Sequence, residues 1–181
     1  MSAEVEKGFL SGPYNTPPFK QYRVSPLGIA ERKYSKKKRL IVDLSAPHNN
    51  ENHPSINDLI DKNECSLSYV SIDDAIKCII KFGRGALMCK TDISDAFKLV
   101  PILPSQYHLF CVKWRNSYYF YIRLAFGCRS SPKIFDQFSQ AICWIAKNNY
   151  EIECILHLLD DFLTIDRPDY PAERTIWLFS P

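Results

Sequence analysis

The chain lacks several features that would place it quickly. No run approaches the ~18 apolar residues of a membrane span. The amino terminus, Met-Ser-Ala-Glu-Val-Glu-Lys, has no apolar core of a signal peptide. Internal repeats and low-complexity tracts are absent. None of the seven cysteines forms a Cys-x-x-Cys pair, so a structural zinc site is not expected. They lie mostly in apolar stretches, where a free thiol behaves as a small hydrophobe, and their use suggests a reducing, intracellular compartment. The net charge of +3 is too small to prove a polyanionic partner.

What is present suits a soluble domain. With 181 residues, 46% hydrophobic and 24% charged, the chain can bury a real core as one domain or two small lobes. Charge is unevenly spread. Arg32, Lys33, Lys36, Lys37, Lys38 and Arg39 form a basic run, while acids gather around 58–64 and 151–169. A basic run set apart from an acidic site suits a polyanion held near a metal centre. A solvated loop would give the same run.

Residues 1–28, rich in Pro and Gly, read as an irregular lead-in. A strand near 27–31 and a second at Arg39–Leu44 make a hairpin with a basic tip. Ser71 and Asp74 open a helix over 71–83 in capping-box fashion; Ile72, Ala75, Ile76, Ile79 and Ile80 share a face that reads as core, and Gly83 stops it. The strand at 86–91 delivers Asp92 at its end. Aromatic strands follow at 108–113 and 118–124. Ser131 and Pro132 start a helix with Ile134, Phe135, Phe138, Ala141, Ile142 and Ile145 on one face.

The stretch Ile155-Leu-His-Leu-Leu-Asp-Asp-Phe-Leu-Thr-Ile165 places Asp160 and Asp161 between apolar runs, the pattern of a β-hairpin whose turn carries both acids. An acid pair in a turn is often no more than a solvated turn. Asp92, at a strand end in the same expected sheet, changes the weighting. Phosphoryl transfer to a 3′-hydroxyl uses two divalent ions about 3.5–4 Å apart, and carboxylates on rigid elements suit Mg²⁺.

As an ordered set, five stretches resemble the reverse transcriptase domain of retroelements, most closely the DIRS-like (tyrosine-recombinase) type. They are Ser25-Pro-Leu-Gly28, Arg39-Leu-Ile-Val-Asp-Leu44, Thr91-Asp-Ile-Ser-Asp-Ala-Phe97, Arg123-Leu-Ala-Phe-Gly127 through Ser131-Pro132, and Leu158-Leu-Asp-Asp-Phe162. The resemblance implies an α+β fold, a right-hand polymerase fingers and palm with an antiparallel palm sheet backed by helices. Fingers would be about 25–85 and 104–128, and a partial palm about 86–103 and 129–181. It implies that Asp92, Asp160 and Asp161 are catalytic and bind two Mg²⁺ ions, with Mn²⁺ an alternative. Phe97 would be the ring that excludes a ribose 2′-OH. Arg39 and Lys33 would grip the triphosphate, and Asp95, Ala96, Phe126 and Gly127 would line the dNTP pocket. Partners would be an RNA or DNA template-primer and dNTPs, with no membrane.

Plain readings stand beside these. Phe97 can be a core aromatic, Arg39 a surface residue, Asp95 a turn cap, and the aromatic strands simple core. Ala125 replaces the proline of many relatives, and Leu158 the tyrosine of retroviral enzymes. The chain ends at Pro181, soon after Asp161, without the family's later palm strand, primer grip or thumb. Two competing functions follow: a truncated fragment without turnover that binds nucleic acid weakly at most, or a palm polymerase copying RNA into RNA. Phe97 argues against the second.

Overall fold

The computed structural model describes residues 1–31, 38–171 and 174, with Arg39 in its backbone alone. Two compact units emerge: Met1–Cys65 with Phe97–Pro132, and Ser66–Ala96 with Lys133–Pro181. No helix among the described residues is long and apolar enough to cross a membrane.

The first unit begins with a short helix, α1 (Ser2–Glu6), and strand β1 (Leu10–Tyr14). The Pro/Gly-rich lead-in is therefore not irregular throughout. β1 pairs antiparallel with β7 (Ser117–Tyr121), which pairs with β6 (Cys111–Trp114), and β2 (Val24–Ser25) completes the order β1-β7-β6-β2. The aromatic content of these strands explains the core. Phe120 is surrounded by Phe19, Tyr107 and Tyr14 at ring-centroid distances of 5.0, 5.4 and 5.7 Å. Cys111 and Val112 are fully buried beside it. Separately, β3 (Leu27–Glu31) and β4 (Lys38–Val42) form the expected hairpin, in register from Leu27↔Val42 to Glu31↔Lys38. Its tip, 32–37, lies outside the described residues.

Gly127 has a concrete reason to be glycine. Its φ is +100°, and a Cβ there would sit 2.7 Å from the Val42 carbonyl oxygen. The close approach is to the chain's own β4. Asn57 holds the same loop. Its Nδ2 donates to the Gly127 carbonyl at 2.8 Å and its Oδ1 accepts from the Arg129 N–H at 2.8 Å. The Arg129 guanidinium in turn donates to the carbonyls of Asn57 and Ile60.

The second unit carries an antiparallel sheet of order β5-β9-β8, from β5 (Leu87–Asp92), β8 (Cys154–Leu158) and β9 (Asp161–Asp166). A short helix, α3 (Ala96–Leu99), follows β5 in the chain, and helix α4 (Ser131–Asn149) covers one face of the sheet. Cys143 and Ala146 pack with Ile152, Ile155 and Phe162, flanked by Ile93 and Ile142. The buried stripe of α4 runs through Phe135, Asp136, Ser139, Cys143 and Ala146. This corrects the expected face: Ile134, Phe138 and Ile145 are exposed. The stripe was disguised because two of its members are polar and hydrogen-bonded.

Helix α2 (Ile72–Phe82) starts with a full capping box, Ser71 and Asp74 satisfying each other's backbone N–H. The Ser71 hydrogen bonds hold the Asp74 carboxyl down to about 2. This contribution is complete above the ordinary aspartate range and is lost as pH falls towards about 2. The core reading of α2 is overturned, since none of its residues is buried and Ile72 and Ile80 are 81% and 74% exposed. The half-buried side is Ala75, Cys78 and Ile79, offset from the isoleucine stripe. Cys78 is bonded to Cys154 of β8 in a disulfide with Cα atoms 6.4 Å apart. That corrects the expectation of free thiols throughout: Cys65, Cys89, Cys111, Cys128 and Cys143 remain free.

Two outcomes are expected. In denaturant without reductant the chain titrates five thiols, rising to seven on reduction; seven in both would refute the cross-link. Gly127→Ala lowers the urea-unfolding free energy by about 2–4 kcal/mol, since it adds both backbone strain and a clash. Unchanged stability would show that the loop does not lie against Val42.

Candidate active site

The alternation of β5 decides which way its residues face. Met88, Lys90 and Asp92 are exposed, and Leu87, Cys89 and Thr91 are half-buried. In the ladder with β9, Asp92 pairs with Asp161 and Lys90 with Leu163. Directly paired residues of an antiparallel ladder point to the same face, with Cβ atoms about 4.5–5.5 Å apart. The register therefore sets two carboxylates opposite each other.

The other acid arrives by a tight turn. β8 and β9 are joined by Leu159 and Asp160, with Leu158 paired to Asp161. The turn is thus Leu159-Asp160, and Asp161 is the first residue of β9, a one-residue shift from the expectation that both acids occupy the turn. The Asp160 carbonyl accepts from the Ile93 N–H at 3.0 Å, which binds the turn to the residue after Asp92. Asp160 and Asp161 are half-buried and Asp92 is exposed. The sheet thus brings the three sequence-predicted acids to one end of one strand pair.

Like charges directly opposite in a ladder repel. Lys90, two residues before Asp92 on the same face, supplies compensation: its Nζ lies 3.0 Å from Asp161 Oδ1. Its ammonium is held above the usual lysine range by the hydrogen bond to Asp161, then by the charge of Asp161 and, least, of Asp92. Both groups are substantially exposed, so the pair contributes little to stability. Its effect is to orient one oxygen of Asp161. The period-2 pattern around Asp92 could have revealed Lys90 from sequence.

Beneath the hairpin, α4 presents a polar network. His157 of β8 lies 3.1 Å through Nε2 from Asp136 Oδ1 and 3.4 Å through Nδ1 from Cys143 Sγ. Gln140 Nε2 donates to Asp136 Oδ2 at 2.7 Å. Cysteine, histidine and aspartate in a row have the outline of a nucleophilic triad, but burial pushes the Cys143 thiol up to about 11. That shift disfavours the thiolate a nucleophile would need, and the network's visible effect is to tie the helix to the hairpin. Ser139 donates from Oγ to the Leu159 carbonyl at 2.8 Å.

Among the described residues, no three His, Cys, Asp or Glu side chains close into a metal cage. The donor chemistry still fits a small hard cation. Mg²⁺ takes oxygen ligands and is commonly held by one or two carboxylates, with water and substrate phosphates completing the shell.

The remaining sequence-predicted residues divide between the units. Asp95 and Ala96 belong with the acids. Asp95 is exposed with φ +53°, and Ala96 is buried. Phe97, Phe126 and Gly127 belong to the first unit, where the Phe97 and Phe126 rings lie 4.9 Å apart and tilted by 43°. Arg39 is in β4, opposite Ala30. Lys33 lies outside the described residues.

No protein-family model matches the chain, and no curated protein matches it. Solved structures do. A prototype foamy virus protease-reverse transcriptase mutant matches with a TM-score of 0.66 at 16% identity over 98% of this chain and 20% of that one. Foamy viral protease-reverse transcriptase in complex with dsDNA matches with a TM-score of 0.65 at 17% identity over 98% of this chain and 31% of that one. A further such enzyme, described as dRH in complex with dsDNA, matches with a TM-score of 0.65 at 16% identity over 97% of this chain and 26% of that one. The chain spans between a fifth and a third of the length of these structures. Mixed helices and antiparallel sheets, with these neighbours, give it an α+β fold like that of reverse transcriptases.

Proposed function

We propose that the chain is the fingers and partial palm of an RNA-directed DNA polymerase that adds dNMP to a primer 3′-end and releases pyrophosphate. The observation that carries this reading is the ladder register pairing Asp92 with Asp161, with Asp160 in the adjoining turn. The motif wording favours a retroelement enzyme of the DIRS-like type, with RNA preferred as template. The foamy viral neighbours solved with dsDNA support a template-primer as partner.

In this reading Asp92 and Asp160, with Asp161, hold two Mg²⁺ ions, which supply charge stabilisation for both the attacking and leaving oxygens. The chain's own residues do the positioning. Asp92 at the end of β5 and Asp160 in the turn offer oxygens from a rigid support. Lys90 keeps one oxygen of Asp161 engaged and offsets the crowding of negative charge. Phe97 serves as the ring under the incoming sugar, Asp95, Ala96, Phe126 and Gly127 as the nucleotide pocket, and Arg39 and Lys33 as the triphosphate grip.

Primer extension on an RNA template with Mg²⁺ and dNTPs tests the reading. Asp160→Asn is expected to reduce incorporation by at least ~100-fold, on the scale of losing a central electrostatic group. Incorporation equal to the parent's would remove Asp160 from the chemistry. A parent chain that binds template-primer yet never extends it supports the inactive-fragment reading. Phe97→Ala is expected to raise ribonucleotide use, measured as the ratio of rNTP to dNTP kcat/KM; an unchanged ratio would remove the gate.

A further inference from the structure

We propose that Ser139, on the buried face of α4, is a positioning residue for Asp160, setting the direction of that carboxylate through the backbone of Leu159. The inference deepens the polymerase reading of the acids and rests on it for its functional consequence.

Leu159 is the first residue of the two-residue turn and has φ +55°. That left-handed conformation suits glycine, and a branched side chain adopts it only when surroundings impose it. A two-residue hairpin loop calls for it at this first position, and two hydrogen bonds hold the peptide planes that follow. Ser139 Oγ donates to the Leu159 carbonyl at 2.8 Å. On the other side of Asp160, its own carbonyl accepts from the Ile93 N–H at 3.0 Å. These carbonyls belong to the two peptide planes that flank the Asp160 Cα. With both planes held, the φ and ψ of Asp160 are determined, and so is the direction in which its side chain leaves the turn.

Ser139 is fully buried, so no water competes for its proton. A buried helical serine ordinarily bonds back to the carbonyl four residues earlier. Phe135, four residues before Ser139, offers its carbonyl at 3.3 Å, but the one hydroxyl proton has the nearer acceptor in Leu159. A serine serving only to pack would not need to reach off its own helix. One turn earlier on the same stripe, Asp136 holds His157, so α4 grips the hairpin at two points.

The test uses the full chain in four forms: parent, Ser139→Ala, Leu159→Gly and the double variant. Glycine adopts the left-handed conformation without a Cβ penalty, so it removes the need for the hydroxyl. Amide exchange without metal is read first. Ser139→Ala is expected to speed exchange at Ile93 about tenfold while α2 is unaffected, and in the Leu159→Gly background the same change should have under about twofold effect. In primer extension, Ser139→Ala should lower kcat about tenfold with KM for dNTP nearly constant, as misdirection of a reacting group does. Again the loss should shrink in the glycine background. Unchanged exchange at Ile93, or equal losses with leucine and glycine at 159, would overturn the proposal. A parent chain that incorporates nothing defeats the polymerase reading, and the exchange data still decide whether Ser139 sets the Asp160 backbone.

Discussion

The Asp92↔Asp161 rung of the β5–β9 ladder is the constraint on which the site depends. An antiparallel register places the two Cβ atoms on the same face at the separation of a directly paired rung, so both carboxyl groups leave the sheet side by side. Sheet pairing continues regardless, through rungs down to Leu87↔Asp166, because Phe162 is buried against Cys143 and Ala146 and a slip by one residue would turn it to the opposite face. Hydrophobic burial thus enforces an electrostatic arrangement that charge alone would oppose. Lys90 moderates the repulsion without removing negative charge from that end of the sheet.

The support beneath the rung is unusually polar for a helix-on-sheet interface. Phe135, Cys143 and Ala146 supply apolar contact, while Asp136 and Ser139 bond to the hairpin itself. Apolar packing alone tolerates small shifts, whereas a hydrogen bond to one carbonyl specifies position to a few tenths of an ångström. Such a division suits a site in which carboxylates must be aimed. The first unit shows the same device in another place, where Asn57 and Arg129 stitch the loop that carries Gly127.

Much of this was legible in the sequence where local chemistry decides. The capping box at Ser71 and Asp74, the β3–β4 hairpin, the strand ending at Asp92 and the carboxylate hairpin all follow from short patterns. Tertiary choices were less legible. The isoleucines of α2 have strong helical periodicity, yet Ile72, Ile76 and Ile80 stay exposed, because periodicity reports amphipathicity and not which surface covers it. The buried stripe of α4 lies about one position off the apolar face, because Asp136 and Ser139 look like surface residues until their partners are known. The pairing of Cys78 with Cys154, 76 residues apart, depends on the fold bringing α2 to β8. The acids are legible from the order and wording of the motifs and Lys90 from the alternation of β5, whereas the bond from Ser139 to the Leu159 carbonyl needs the helix and hairpin in place.

The most direct measurement of the central claim is a titration of the full chain with Mn²⁺, followed by paramagnetic broadening of its backbone amide signals. Asp92, Asp160 and Asp161 are expected to broaden together at the lowest ion concentrations, and Asp160→Asn to weaken the effect at all three. Broadening centred elsewhere, or at one of these acids without the others, would contradict the claim.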